Sequence, residues 1–354
     1  MAQQASTRLL RWYDGEKRDL PWRKTREPYR IWLSEIMLQQ TRTETVKGYY
    51  ARFLALFPTV QALAAAPQEQ VLKAWEGLGY YSRARNLQKA AQVIVNEHNG
   101  VFPSTYEGIL ALPGIGPYTA GAVGSIAFGL PVAAVDGNVY RVASRFFGVR
   151  EDVGSPKVQK RIRELVTQSI PKERPGDYNQ ALMELGATLC CPGAPRCDGC
   201  PWRELCDASR EGDADLLPVH EKKRPPREIE MAVCLLGWNN RLLVQRRAER
   251  MLSGLYVFFL VEDETRYKQV QSLLQEDGLE ATFAQELGEA KHVFTHRVWQ
   301  MKIQRYTLKR EPDAAWLEEH QARMVTREEM EALPFPSAMS AAVRAARAFF
   351  DTLD

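Results

Sequence analysis

Two carboxylates and a group of thiols are the side chains whose settings in this chain of 354 residues suggest chemistry. Glu35 sits in YRIWLSEIMLQ, where Ile31, Trp32, Leu33, Ile36, Met37 and Leu38 leave little polar surface on a helix from Tyr29 to about Gln39. Apolar neighbours favour the protonated acid over the carboxylate. The plainer alternative puts Glu35 on the helix's one wet stripe, beside Ser34 and Gln39. Asp136 in VDGNVYRV precedes a helical run and suits an N-cap, a duty compatible with catalysis, and Asn138 serves either the turn or a ligand. Cys190, Cys197, Cys200 and Cys206 follow the spacing C-x6-C-x2-C-x5-C. Four thiolates within one short loop point to metal rather than disulfides, and thiolate chemistry alone admits tetrahedral zinc or a [4Fe-4S] cluster. Cys191 is a spare beside a ligand candidate, and Cys234 falls in a strand pattern.

The element that must position these groups is LPGIGPYTAGAVGSIAFGLPVAAVDGN, residues 112–138. Gly114 and Gly116 permit a sharp hairpin that exposes backbone N–H groups where a helix begins, which is an anion site suited to a DNA phosphate. Small residues from Thr119 to Ser125 suit a helix packed closely on its neighbours, so the stretch reads as helix, hairpin, helix. Upstream, residues 3–14 form an amphipathic helix. The proline-bearing residues 15–28, with Trp22 and Arg23, interrupt regular structure, and residues 44–100 continue as helices joined by short turns. GLGYYSRAR, residues 77–85, interleaves Tyr80 and Tyr81 with Arg83 and Arg85, a mixture suited to a nucleic-acid backbone and to stacking on bases. Two helices fill residues 155–189. Residues 207–228 have the charged, proline-rich composition of a linker. A second fold follows, with strands around a turn at Gly237–Asn240, an alternating strand Val298–Leu308, and helices over 264–276 and Ser337–Leu353.

The length predicts two or three domains, and a hydrophobic fraction of 45% supplies their cores. Net charge is +3, but residues 1–206 hold 26 Lys/Arg against 19 Asp/Glu, leaving 21 against 25 beyond them. The first part is therefore the better partner for phosphates. No signal-peptide pattern or membrane-spanning run is present, so a cytoplasmic location is expected, and there is no internal repeat.

These residues resemble the helix-hairpin-helix DNA glycosylases, and among them the MutY-type adenine DNA glycosylases. The carriers are LPWR at 20–23, WLSEIMLQQT at 32–41, GLGYYSRARNL at 77–87, LPGIGPYTAGA at 112–122, VDGNV at 135–139, the four cysteines, and HVFTH at 292–296. The resemblance implies an all-α helix-hairpin-helix glycosylase region with an iron-sulfur cluster loop, plus a C-terminal α/β Nudix-like domain. Its domains would be 1–206, with a six-helix barrel module at about 20–125 and the N-terminal helix joining 126–206 as the cluster-bearing module. A linker at 207–228 and an 8-oxoguanine recognition domain at 229–354 would complete the chain.

By the same resemblance, the chain hydrolyses the N-glycosidic bond of adenine mispaired with 8-oxoguanine or guanine in double-stranded DNA. This base excision repair prevents G:C to T:A transversions. Glu35 is the general acid and Asp136 the carboxylate facing the sugar cation, with Tyr118 and Asn138 assisting. Gln40 and Tyr80 fill the vacated stack, with Thr41 and Leu78 beside them and Gly114 and Gly116 holding the backbone. Trp22, Arg23, Leu38, Thr43, Gln180 and Met183 line the adenine pocket, and Phe294, Thr295 and His296 read 8-oxoguanine. On residues alone Phe294 also suits a core and His296 a strand edge. The four cysteines bind [4Fe-4S].

Endonuclease III-like relatives carry a nucleophilic lysine where this chain has Tyr118, so a monofunctional enzyme is expected. Many relatives read Phe-Ser-His at the recognition loop, where threonine here keeps the hydroxyl and adds a methyl. The glutamate-rich Nudix box is absent, so that domain should recognise rather than hydrolyse. A monomer acting on DNA in the bacterial cytoplasm, at the nucleoid, is implied. Two rivals are a thymine-directed or endonuclease III-like glycosylase, and a non-catalytic, redox-sensitive DNA-binding protein. Tyr118 and the C-terminal domain weigh against the first, and the paired acids against the second.

Overall fold

The computed structural model describes residues 2–221, 225–249, 251–262 and 269–351. Its first unit comprises residues within 1–65 and 86–222, and its second comprises 66–85 with 223–354. The helices in chain order are α1 (Ala2–Glu16), α2 (Pro28–Leu38), α3 (Thr43–Leu56), α4 (Val60–Ala65), α5 (Gln68–Ala74) and α6 (Ser82–Glu97). Next come α7 (Tyr106–Leu110), α8 (Pro117–Phe128), α9 (Gly137–Phe147), α10 (Pro156–Gln168), α11 (Pro175–Thr188) and α12 (Asp207–Glu211). Among the described residues no helix is long and apolar enough to cross a membrane.

In the first unit, local chemistry fixes the ends of the helices that carry the site. Glu27 caps α2 by accepting from the N–H groups of Tyr29 (3.0 Å) and Arg30 (2.9 Å), with Pro28 preset for the first turn. Gly116 caps α8, again followed by proline, and α8 stops at Gly129 in the left-handed region (φ 68°). The small residues of α8 permit contact no larger side chain could make: a Cβ on Gly121 would lie 2.1 Å from the Ala133 carbonyl oxygen. A Cβ on Gly176 of α11 would lie 2.8 Å from that of Ser125. Leu9, Val139, Val142, Ile162, Leu182 and Leu185 meet in a core shared by α1, α9, α10 and α11.

The polar residues after Cys206 are built into this unit rather than left as a bare tether. Arg150 pairs with Asp207 (2.9 Å) and Asp213 (2.8 Å), Leu217 is buried, and the Val153 N–H donates to the Val219 carbonyl at 3.0 Å. Charge and proline content predict a linker over 207–228, and within it these pairings engage Asp207, Asp213 and Val219.

Among the described residues the second unit is built on a seven-stranded sheet: β1 (Arg227–Trp238), β2 (Arg241–Arg246), β3 (Tyr256–Val257), β4 (Phe259–Val261), β5 (Ala281–Val293), β6 (Arg297–Leu308) and β7 (Ala322–Val325). Its main path runs β3-β2-β1-β6-β5, with β4 on β1 and β7 on β2. β1 and β6 are parallel, whereas β5 and β6 are antiparallel with register shifts near Gln285 and Gly288. Both faces are covered. Met231, Val233 and Leu235 point into one apolar cluster with Trp299, Met301 and Ile303, while Ala232, Cys234 and Leu236 point into the other.

The first cluster is completed by α15 (Arg327–Ala332) and α16 (Ser340–Asp351), the second by α13 (Val270–Glu276), and α14 (Ala314–Glu319) precedes β7. The expected helix over 264–276 is described from Val270, because 263–268 lie outside the described residues, as does the end of the expected Ser337–Leu353 helix.

Residues 66–85 join this sheet through contacts of long sequence separation. Lys73 donates to the Leu333 carbonyl (2.9 Å), the Phe335 N–H to Glu76 (3.0 Å), and the Tyr81 hydroxyl to the Phe335 carbonyl (3.1 Å). Arg85 donates to the Ser253 carbonyl at 2.6 Å.

Candidate active site

Glu35 lies on the face of α2 that packs against α8, and only 5% of it is exposed. Its Oε2 accepts a hydrogen bond from the Tyr118 hydroxyl, in the first turn of α8. The same hydroxyl lies 3.7 Å from Sδ of Met183 on α11, so three helices converge on one phenol. Burial pushes the Glu35 pKa up to about 7, against the Tyr118 hydrogen bond and with help from the negative charge of Asp136. Burial and that acid hold the Tyr118 hydroxyl far above its usual value, so it stays a donor.

Asp136 occupies the N-cap of α9, where its Oδ1 accepts from the Val139 N–H (2.7 Å) and its Oδ2 from Asn138 Nδ2 (3.0 Å). Burial raises its pKa, while those donors oppose the rise. Behind it, Arg141 Nη2 donates to Asn138 Oδ1 (2.9 Å) and the Gly186 carbonyl (2.8 Å), and its Nε donates to the Cys190 carbonyl (2.8 Å). The close approach of α11 depends on Gly186, whose added Cβ would meet that of Asn138 at 2.7 Å.

The other expected residues fall into distinct settings. Trp22 is buried edge-on to Tyr50 with ring centroids 5.5 Å apart. Arg23 donates to Glu184 at 2.7 Å, and Gln180 reaches the Gly176 carbonyl at 3.4 Å. Leu38 and Thr43 are partly exposed. Gln40 is exposed at φ 55°, a conformation uncommon for a residue with a Cβ, and Thr41 closes the turn through its N–H to the Leu38 carbonyl at 3.2 Å. Gly114 takes φ 74°, and its missing Cβ would strike Asn86; Gly116 has open space where a Cβ would stand.

Sequence reasoning missed Arg18, Asn179 and Glu184. Glu184 is fully buried and receives Arg18 Nε at 2.7 Å and Nη2 at 2.8 Å as well as Arg23. Burial alone would raise its pKa, but the hydrogen bonds from Arg18 and Arg23 prevail and hold it at about 2. The available signal is an acid in the apolar run ALMELGA, the same signal that singles out Glu35 in WLSEIML. Asn179, also fully buried, accepts from the Ala134 N–H (3.0 Å) and donates to Ser125 (2.8 Å) and the Val132 carbonyl (2.9 Å), pinning the segment that leads to Asp136.

Two family models match: the HhH-GPD superfamily base excision DNA repair protein over residues 33–168, and the NUDIX domain over 232–345. An adenine DNA glycosylase of Rattus norvegicus is 40% identical over 81% of this chain and 67% of its own length. That of Buchnera aphidicola subsp. Baizongia pistaciae is 32% identical over 81% of this chain and 82% of its own. The chain belongs to the adenine DNA glycosylase family. It spans 64% of the length of the Homo sapiens member, which is longer.

Among solved structures, a thermostable thymine-DNA glycosylase superposes with a TM-score of 0.54 at 32% identity, over 58% of this chain and 95% of its own. An endonuclease III in a trapped covalent intermediate with DNA gives 0.51 at 25%, over 60% and 98%. The family's helical fold thus spans the first part of the chain and a Nudix-like α/β fold the last.

In this adenine DNA glycosylase family member, Cys190, Cys197, Cys200 and Cys206 are partly buried and close enough to repel one another as thiolates. Burial first, then that repulsion, pushes the Cys200 thiol up to about 12. Arg145 Nη1 approaches Cys190 Sγ at 3.3 Å, and Cys191 turns its Sγ toward the Ala187 carbonyl at 3.8 Å. The donor set, four cysteine sulfurs from one short loop, is the chemistry that thiolate-ligated metal or iron-sulfur centres use. Among the described residues, no three or more His, Cys, Asp or Glu side chains come together as ligands of a single metal ion.

In the second unit, Phe294 packs edge-on to Trp299 (4.9 Å) and His292 (4.6 Å), while Thr295 and His296 are exposed. The Thr295 and Tyr80 hydroxyls lie 3.4 Å apart.

Proposed function

We propose that this protein is a monofunctional glycosylase that removes adenine mispaired with 8-oxoguanine or guanine from double-stranded DNA. The observation that carries the reading is the buried Glu35, hydrogen-bonded to a phenol and poised to hold a proton near neutral pH opposite Asp136. Adenine leaves poorly as an anion. Glu35, with Oε2 engaged by Tyr118, delivers its proton from Oε1 to a ring nitrogen of the base. The bond from the sugar C1′ to the base then breaks with its electron pair going to the protonated adenine. Positive charge spreads over C1′ and the ring oxygen, where the Asp136 carboxylate stabilises it. Water adds at C1′ and gives up a proton to a carboxylate. Tyr118 offers no amine for a Schiff base, so the strand stays intact.

The base must leave the stack before Glu35 reaches it, at a cost of a few kcal/mol. Gln40 and Tyr80 fill the gap, with Thr41 and Leu78 in support, and the amides at Gly114 and Gly116 hold phosphate. Trp22, Arg23, Leu38, Thr43, Gln180 and Met183 surround the extruded adenine, and Phe294, Thr295 and His296 face the partner base. Cys190, Cys197, Cys200 and Cys206 would hold a [4Fe-4S] cluster, which supplies a structural cross-link with no open ligand position. Visible absorption and stoichiometric iron in anaerobically purified protein test that assignment; a colourless zinc protein would overturn it. The enzyme acts as a monomer.

The deciding experiment is single-turnover release of adenine from duplexes carrying A opposite 8-oxoguanine, A opposite G, and T opposite G. Wild type should release adenine and spare thymine, while Glu35→Gln and Asp136→Asn should lose at least about a hundredfold in rate while still binding DNA. Retained activity in Glu35→Gln, or strand cleavage by the wild type, would refute the mechanism.

A further inference from the structure

The turn between α5 and α6 is built at considerable conformational expense. Gly77 (φ 95°), Gly79 (φ 71°) and Tyr80 (φ 47°) all occupy the left-handed region, where a tyrosine is unfavourable. Yet Tyr80 is 51% exposed while the adjoining Leu78 is 6% exposed, so the strained residue is the one presented to solvent.

Arg83 accounts for how that posture is kept. It is only 9% exposed and lies in the first turn of α6, where both burial and the helix dipole disfavour a cation. Its Nη2 donates to the carbonyls of Leu78 (2.9 Å) and Gly79 (3.1 Å), and its own backbone N–H donates to that of Tyr80 (2.9 Å). The guanidinium lies over two rings, 5.3 Å from the centroid of Trp75 and 5.7 Å from that of Tyr80. Trp75 Nε1 adds a bond to the Gly79 carbonyl at 3.2 Å. An aliphatic side chain would fill the same space without placing a charge there, but would grip neither carbonyl.

We infer that Arg83 is a positioning residue for DNA distortion, holding the Leu78–Tyr80 turn so that the Tyr80 ring is preset to enter the base stack. The inference rests on the reading of Tyr80 as the residue that fills the gap left by the extruded base. Presetting spares the complex the cost of ordering that turn on binding, so its loss appears in affinity more than in the chemical step.

The test uses full-length protein and a duplex with adenine opposite 8-oxoguanine and 2-aminopurine beside the adenine, whose fluorescence reports unstacking. Arg83→Lys keeps the charge but loses the fork; Arg83→Gln removes the buried charge and keeps hydrogen-bonding capacity. Active fraction is set by burst amplitude, so rates and affinities refer to folded enzyme. Both variants should weaken duplex binding about tenfold and shrink the fluorescence rise, while the single-turnover rate at saturation stays within about twofold of wild type.

Tyr80→Ala is the control for the underlying reading and should lose both signals. If Tyr80→Ala behaves as wild type, the role of Tyr80 falls. If Tyr80→Ala loses both signals while either folded Arg83 variant retains them, the role of Arg83 alone is refuted. A variant whose Tm drops but whose affinity per active molecule is unchanged also refutes it.

Discussion

Glu35 and Asp136 show how two carboxyls on one site come to hold different charges. Glu35 is buried on a helix face and receives a hydrogen bond from a neutral phenol, whereas Asp136 sits at a helix N-terminus with a backbone amide and Asn138 as donors. Burial favours the neutral acid at Glu35 although the Tyr118 hydrogen bond opposes it, while at Asp136 the donors offset part of the rise that burial imposes and so work for the anion. Single-turnover adenine release should therefore fall as pH rises through about 7, when Glu35 loses its proton, and fall again in acid as Asp136 gains one. A rate that keeps climbing to pH 9 would contradict this assignment.

The same shift makes a stability prediction. The folded state keeps a proton on Glu35 that the unfolded chain gives up near its ordinary pKa, so stability falls as pH rises from there through about 7. Glu35→Gln should raise stability at pH 8, on the order of 3 kcal/mol, and have little effect at pH 4. Urea unfolding at the two pH values measures it. The burial of Glu35 is legible in its apolar flanks, because a helix cannot turn both Ile31 and Ile36 inward and leave Glu35 far from them. Its hydrogen bond to Tyr118 is not, since no periodicity specifies which of several helices will supply the partner.

At the scale of elements, the hairpin glycines differ in what they are for. Gly114 needs its left-handed backbone and its empty Cβ position, while Gly116, at an ordinary φ of −101°, needs neither. Gly114→Ala should destabilise the fold by about 2 kcal/mol. Gly116→Ala should change stability by less than about 1 kcal/mol yet weaken DNA binding, because its methyl stands where a phosphate would approach. Thermal melts paired with binding isotherms separate the two outcomes.

Asn179 illustrates what pattern reading overlooks. A polar residue in YNQALMELG offers no sign that it closes two hydrogen bonds to the segment between α8 and α9 and a third to Ser125 within α8. Asn179→Ala should cost about 3 kcal/mol by orphaning buried backbone groups, and should slow adenine release by letting Asp136 drift. The alternation of Trp299, Met301 and Ile303 on β6, by contrast, is plain in the sequence, because a half-buried strand writes its inward face at every second residue.

For the whole molecule, the grouping of 66–85 with the sheet lies beyond what local pattern can convey. Gln68, Lys73, Glu76, Tyr81 and Arg85 read as an ordinary helix and turn, yet their partners include Arg246, Leu333, Phe335 and Ser253. The composition of 207–228 similarly suggests a tether, where ion pairs to Arg150 hold Asp207 and Asp213. A protein ending at residue 222 should therefore be cut by trypsin within 66–85 faster than the full chain is. Equal protection would show that the helical part alone holds that segment.

The same arrangement sets an order on synthesis. Tyr81 is translated some 250 residues before Phe335, its hydrogen-bond partner. At elongation rates of about 5–20 residues per second that interval is roughly 10–50 s. During it the ribosome carries a nascent chain in which Tyr81 and Glu76 have met neither the carbonyl nor the N–H of Phe335. The frame around the turn carrying Tyr80 is therefore complete only once Leu333 and Phe335 have emerged, long after the turn itself.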